Sequence, residues 1–217
     1  MRFAGEIAGL GTTSGVRVVI GLWSDTPYGP FADVMIEQPD GHRVLLAPTE
    51  QIAEVITWLY TFDEVVVGAV SVGWSGSWCT VLAPGLSLQL TRGERTVLGS
   101  LLRLVPAGIA TAPGYLRVIG VLARVVMPSV RTFGHARDGR RMCYGATDVH
   151  RIERAHGSWR QHALGQVAPV DPPVRFGFGS TPAKPSFTRV VTTVLSDPEQ
   201  ASRPPVLRTA PGSPSSP

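Results

Sequence analysis

Tyr144, Asp148 and His150 form the best acid–base set in this chain. Their separations are even, so one extended strand would project all three side chains to the same side. A carboxylate beside an imidazole orients the ring and raises its basicity, as in a catalytic dyad. The competing reading is a polar strand face turned to water. A second set consists of arginines. Arg117 and Arg124 interrupt an otherwise apolar helical pattern, Arg141 closes the basic stretch RTFGHARDGRR, and Arg175 lies within VDPPVRFGFGSTP. There Gly177 and Gly179 alternate with Phe176 and Phe178, which leaves one strand face bare for close approach, with Arg175 in step with the glycines. Guanidinium groups among leucines and valines would clamp a carboxylate or phosphate while the apolar side chains hold a tail.

Other chemistry is poorly provided for. The single lysine, Lys184, follows Ala183, so the chain has no Gly-Lys-Ser/Thr phosphate loop. Gly9, Gly11 and Gly15 have the wrong spacing for a dinucleotide fingerprint and precede a strand pattern. Gly73-Trp74-Ser75-Gly76-Ser77 misses the nucleophile elbow by one residue. His150, His156 and His162 recur every six residues, but Gly157-Ser158 would break a strand running through them, and zinc sites favour closer pairs or cysteines. Neither a metal nor a cofactor is expected. Trp58, Trp74, Trp78 and Trp159 fall on separate elements, which argues against a nucleic-acid stacking platform.

The elements that must position these residues are mostly strands. Val16–Trp23 is a β-branched run after the turn-prone stretch Gly9–Gly15, and Asp33–Gln38 and His42–Ala47 flank the hairpin turn Pro39-Asp40-Gly41. Thr49–Tyr60 switches to helical spacing, with Thr49 placed to cap and Ile52, Val55, Ile56 and Leu59 in one stripe. Such a helix should lie against a sheet face or plug a barrel end. Glu64–Trp74, Trp78–Ala83 and Leu86–Thr91 read as three antiparallel strands of a meander. Short helices follow over 96–106 and 113–127. Strands resume over Met142–Ile152 and after Trp159, and Val174–Gly179 and Phe187–Leu195 close the fold. From Asp197 the chain is rich in proline and serine and too poor in apolar residues to order itself.

Charge and composition narrow the classes. Of 20 basic residues 19 are arginine, the habit of a GC-rich genome. Residues 1–94 hold 4 basic and 10 acidic side chains, while 95–160 hold 11 arginines against Asp138, Asp148 and Glu153. An acidic N-terminal part thus adjoins a basic, apolar middle, either as complementarity within one fold or as a surface for an anionic partner. The longest uncharged stretch of the apolar middle, 104–116, contains Pro106 and Pro113 and falls short of the ~20 residues of a spanning helix. The opening Met1–Glu6 lacks the apolar run of a secretory signal, and two cysteines, Cys79 and Cys143, do not make a disulfide framework. The expectation is a cytoplasmic protein, with peripheral association at the inner membrane face as a further option.

Three segments together resemble a protein family of GC-rich Gram-positive (actinobacterial) bacteria: MRFAGEIAGLGTTSG, YGPFADVMIEQPDGHRVLLAPT and VDPPVRFGFGSTPAKPS. The resemblance covers residues 1–195 and implies no activity. The arrangement of strands is also similar to lipocalin-type barrels, a likeness of fold that does not establish function.

The expected fold is α+β and mainly antiparallel β: a curled sheet or barrel with a helix at 49–60 and a helical insertion near 96–128. One domain spans 1–196, with the basic insertion at 95–141 and a disordered tail at 197–217. Three functions compete. The first is binding of a small amphipathic anion, a fatty acid or acyl thioester, by Arg117, Arg124, Arg141 or Arg175. The second is an acid–base enzyme built on Tyr144, Asp148 and His150. The third is attachment of 95–141 to an anionic membrane or a protein partner.

Overall fold

A computed structural model describes residues 1–103, 133–135, 141–177 and 181–195, with 133–135, 141–143 and 194–195 described by their backbone alone. Strands β1 (Arg2–Thr12), β2 (Arg17–Asp25), β3 (Phe31–Glu37) and β4 (Arg43–Ala47) precede helix α1 (Glu50–Leu59) and β5 (Glu64–Val67). Next come β6 (Ser71–Ser75), β7 (Trp78–Ala83), β8 (Leu86–Arg95) and helix α2 (Val97–Arg103). The described elements end with β9 (Phe133–His135), β10 (Arg141–Trp159), β11 (His162–Ala163), β12 (Val167–Ala168) and β13 (Ser186–Leu195). All strands belong to one sheet, in the spatial order β5-β4-β3-β2-β1-β13-β10-β8-β7-β6, with β9, β11 and β12 paired beside this path. The architecture is α+β, a mostly antiparallel sheet curled into a half-barrel.

The period-two alternation of each strand divides its side chains between two cores. Val18, Ile20, Val34, Ile36, Val44 and Leu46 from β2–β4 pack with Val81, Leu88 and Leu90 from the far end of the strand order, together with Phe187 and Ile152. Residues so distant in the sheet can meet only on the inside of the curl. The inside is therefore filled with side chains. The alternate residues Phe3, Ile7, Val19, Met35 and Leu45 form a second core on the outer face, under Ile52, Val55, Ile56 and Leu59 of α1 and under Val170, Val174 and Phe176. The helix thus lies against the sheet face, as its one-sided stripe requires. Thr49 caps it by accepting from the Ile52 N–H at 3.3 Å, and Glu50 sits at the positive end of its dipole.

Several expectations are corrected. Glu64–Trp74 is two strands, and β5 runs parallel to β4 because α1 carries the chain back across the sheet before β5 begins. Gly9–Thr12 belongs to β1, and only the following residues turn. The glycines that read as a turn are close-approach positions: a Cβ on Gly9 would overlap the Thr181 side chain, and one on Gly11 the Pro169 carbonyl. The return segment, described over 169–177 and again from Thr181, approaches β1 at these two points. In this segment residues 174–177 are not a strand, because Phe176 gives its carbonyl to the Thr61 N–H and Gly177 takes a φ of 148°. Strand β10 continues through Gly157-Ser158 to Trp159, a single strand of 19 residues. Gly157 sits opposite Leu88, so close that a Cβ would strike the Ser87 carbonyl.

That contact yields a prediction. Replacing Gly157 with alanine is expected to force β8 and β10 apart and destabilise the fold by about 1–3 kcal/mol. The readout is the urea midpoint, and an unchanged midpoint would mean that the two strands have room to separate.

Of the helical insertion expected near 96–128, α2 is the described part, and the rest lies outside the described residues, as does the tail from 197. The proposed membrane contact at 95–141 falls largely there too. No helix among the described residues is long and apolar enough to cross a membrane.

Candidate functional site

Asp148 and His150 are brought together; Tyr144 is not part of their cluster. A bulge in β10 between Ala146 and Asp148 breaks the alternation that would have put all three on one side. Tyr144 is buried in the outer core, where burial and then the nearby Tyr60 raise its phenol above the usual range. Asp148 receives two bonds from Arg95, from Nε at 2.9 Å and from an η nitrogen at 3.2 Å, and accepts the Val149 N–H at 2.9 Å. Although burial opposes it, these partners hold the carboxyl below its ordinary value. His150 places Nε2 3.6 Å from Asp148 and Nδ1 3.2 Å from the Gly93 carbonyl oxygen. Neither ring nitrogen is left facing open space, and the carboxylate is already committed to a guanidinium. The cluster is a clasp between β8 and β10.

Because Arg95 is partly exposed, replacing it with alanine is expected to cost only about 0.2–1 kcal/mol, measured as a change in the urea midpoint. A loss several times larger would show the clasp to be more than a surface pair.

Of the four arginines proposed as ligand clamps, Arg117 and Arg124 lie outside the described residues, and so does the side chain of Arg141. The Arg141 backbone pairs with Leu195 on one side and His135 on the other. Arg175 is bound within the fold. Its N–H and its Nε donate to Glu37 at 2.7 and 2.9 Å, and Arg17 approaches the same fully buried carboxylate at 3.4 Å. Arg175 borders an open polar basin of about 460 Å³ with Asp40, His42, Arg43 and Asp63. The other guanidinium there, Arg43, is clasped by Asp63 at 2.8 and 2.9 Å, a bond pair that pulls the Asp63 carboxyl far below the carboxylate range. An anion entering the basin would compete with two carboxylates.

The outer face holds a different arrangement, centred on a residue that motif reading passes over. Asp33 on β3 is fully buried, directly opposite Gly21 on β2. The missing side chain at Gly21 makes the space for it, since a Cβ there would overlap both the Asp33 carboxyl and the Trp23 indole nitrogen. Trp23 donates its indole N–H to Oδ1 at 2.8 Å, whereas Oδ2 has no partner among the described residues. Burial drives the carboxyl up to about 7, against the lowering effect of the Trp23 bond. Tyr60, just past α1, is raised as well, by burial first and by the charge of Asp33 second.

Gly21 and Trp23, which flank this carboxyl, also border a hollow whose lining does not include Asp33 itself. Its walls are Ile7, Val19, Met35 and Trp23 from the sheet, Tyr60 from the end of α1, and Phe176 and Thr181 from the return segment. The hollow measures about 20 Å³, room for a water molecule. Thr181, also buried and part of the lining, has no partner for its hydroxyl among the described residues. One orphaned hydroxyl thus lines an otherwise apolar concavity, with the Asp33 carboxyl against its Gly21 and Trp23 wall. One sequence signal was available: Asp33 is in step with Met35 on a strand that is buried on both faces, where a charged side chain is rare.

No protein-family model matches the chain, and no curated protein matches it. Among solved structures, an acetoacetate decarboxylase from Legionella pneumophila aligns over 91% of this chain and 88% of its own, at 9% identity and a TM-score of 0.44. That is a weak similarity of strand arrangement, and no functional argument is built on it.

Proposed function

We propose that this protein binds a small, mainly apolar molecule in the hollow over Asp33, holding the ligand's one polar group on the carboxyl. The observation that carries this reading is a fully buried carboxyl whose Oδ2 has no partner among the described residues and whose neighbours Gly21 and Trp23 line a concavity. A buried polar atom without a partner costs on the order of 1–3 kcal/mol, which a ligand or water supplying the bond would offset. Apolar walls with a few convergent polar groups are the usual composition of a small-molecule site. The ligand remains amphipathic, as the sequence led us to expect, but its polar end meets an acid instead of arginines. A long acyl chain does not suit a hollow with room for about one water molecule, and among the described residues the inside of the curl is packed with side chains.

The test is a screen of small fragments by NMR, read at the Met35 methyl and the Trp23 indole N–H. Hits should shift both resonances together, and Gly21→Ala, which fills the carboxyl's space, should abolish them. If hits map to the basin at Arg43 and Arg175, or none shift Met35, the reading is wrong.

A second reading draws on the titration of Asp33 near neutrality. A carboxyl of that strength is suited to exchange protons with a bound molecule at physiological pH. In that case a bound ketone's α-hydrogens would exchange with deuterated water faster in the native protein than in Asp33→Asn. Equal rates would remove this reading and leave binding intact.

A further inference from the structure

From the pairing of charges across the fold, we infer that the polar group held at Asp33 is a cation, the ammonium end of a small amine. The inference rests on the proposed binding role of the hollow and specifies its ligand class. Among the described residues, every buried or half-buried carboxylate has a cationic partner except this one. Glu37 has Arg17 and Arg175, Glu6 has Arg92, Asp148 has Arg95, Asp63 has Arg43, and Glu64 has Arg160 and His42. Asp33 is as deeply buried as Glu37, on the same strand and the same face, yet among the described residues it has only the neutral indole of Trp23. Four residues separate Asp33 from Glu37, roughly 13 Å along an extended strand. Arg17 and Arg175, held at Glu37, are therefore too far to serve Asp33.

The walls suit a cation that brings its own apolar body. Trp23, Tyr60 and Phe176 line the hollow, and aromatic faces attract ammonium groups that have left water. Its room for one water-sized group fits an ammonium, while the body of the ligand would extend outward from it. Oδ2 supplies the acceptor, and the Thr181 hydroxyl can supply a second. An anionic ligand would instead set like charges face to face in a poorly solvated site.

Three probes of similar shape separate the possibilities: benzylamine, benzyl alcohol and phenylacetate, each titrated into the full chain at pH 7.5 and followed at the Met35 methyl. Benzylamine is expected to bind at least about tenfold more tightly than benzyl alcohol, and phenylacetate more weakly than either. In Asp33→Asn the preference for the amine should fall to about one while the alcohol still binds. If the alcohol or the acid binds the native protein as tightly as the amine, the hollow remains a site and the cation inference is overturned. If none of the three perturbs Met35, the binding role fails and the inference with it. The comparison within the native protein decides the matter even if the variant does not fold.

Discussion

Between pH 4 and pH 7 the protein is expected to lose roughly 4 kcal/mol of folding stability through Asp33 alone. Its carboxyl rises from an ordinary 3.8 to about 7 in the native state, and each unit corresponds to about 1.36 kcal/mol. The sign follows from proton binding. Over this interval the native state keeps the proton and the unfolded chain has released it, so raising the pH favours unfolding. The contribution is fully present below pH 4 and gone above about pH 7, where the buried carboxylate must carry its charge. Asp63 and Asp148, both shifted downward, act in the opposite sense and below this window, losing their contribution as pH falls through their folded values. Asp33→Asn keeps an oxygen for the Trp23 N–H and carries no proton to lose. Urea midpoints at pH 5 and pH 8 should therefore diverge for the native protein by the equivalent of roughly 3 kcal/mol more than for the variant. Parallel behaviour of the two would mean that Asp33 is charged at low pH.

The second large effect belongs to Glu37. Its carboxylate is fully buried and accepts from Arg175, while Arg17, only 4% exposed, lies alongside. Glu37→Gln keeps the shape and removes the charge. It leaves Arg17 buried with no counter-charge among the described residues, its guanidinium met by the neutral Pro172 and Gln38 carbonyls, beside an Arg17 Nε that has no partner there. Breaking a buried pair from one side costs about 3–5 kcal/mol, chiefly the penalty of the stranded charge. The paired replacement Arg17→Met with Glu37→Leu should recover most of that loss, because neither charge is then buried. Denaturation of the two variants beside the native protein checks this. A single variant within about 1 kcal/mol of the native protein would show that water reaches Arg17.

Local signals proved legible in the sequence where they depended on neighbours in the chain. The hairpin at Asp40-Gly41 forms as its turn residues require, with Gly41 at a φ of 89° and its N–H bonded to the Gln38 carbonyl. The α1 stripe and the alternation of Leu86, Leu88 and Leu90 translate directly into buried positions. What failed depended on partners remote in sequence. Gly9 and Gly11 look like turn residues until Thr181 and Pro169 are laid over them. The shared face of Tyr144, Asp148 and His150 assumed an unbroken alternation, which the bulge after Ala146 removes. Arg175 reads as a free clamp only while Glu37, 138 residues away, is out of view. Asp33 was only half legible for the same reason: its place on a buried strand could be read, but its environment is made by Gly21 and Trp23 across the strand pair and by Tyr60 after the helix.

The most direct measurement is the pH titration of the Trp23 indole N–H resonance, assigned by its loss in Trp23→Phe. Its hydrogen bond to Oδ1 makes it a local reporter of the Asp33 charge. A buried carboxyl with no cation should move this resonance with a midpoint near 7, and a saturating amine should draw the midpoint downward by stabilising the carboxylate. A midpoint at the ordinary carboxylate value, or no titration between pH 4 and pH 8, would contradict the claim that Asp33 is a buried acid awaiting a partner.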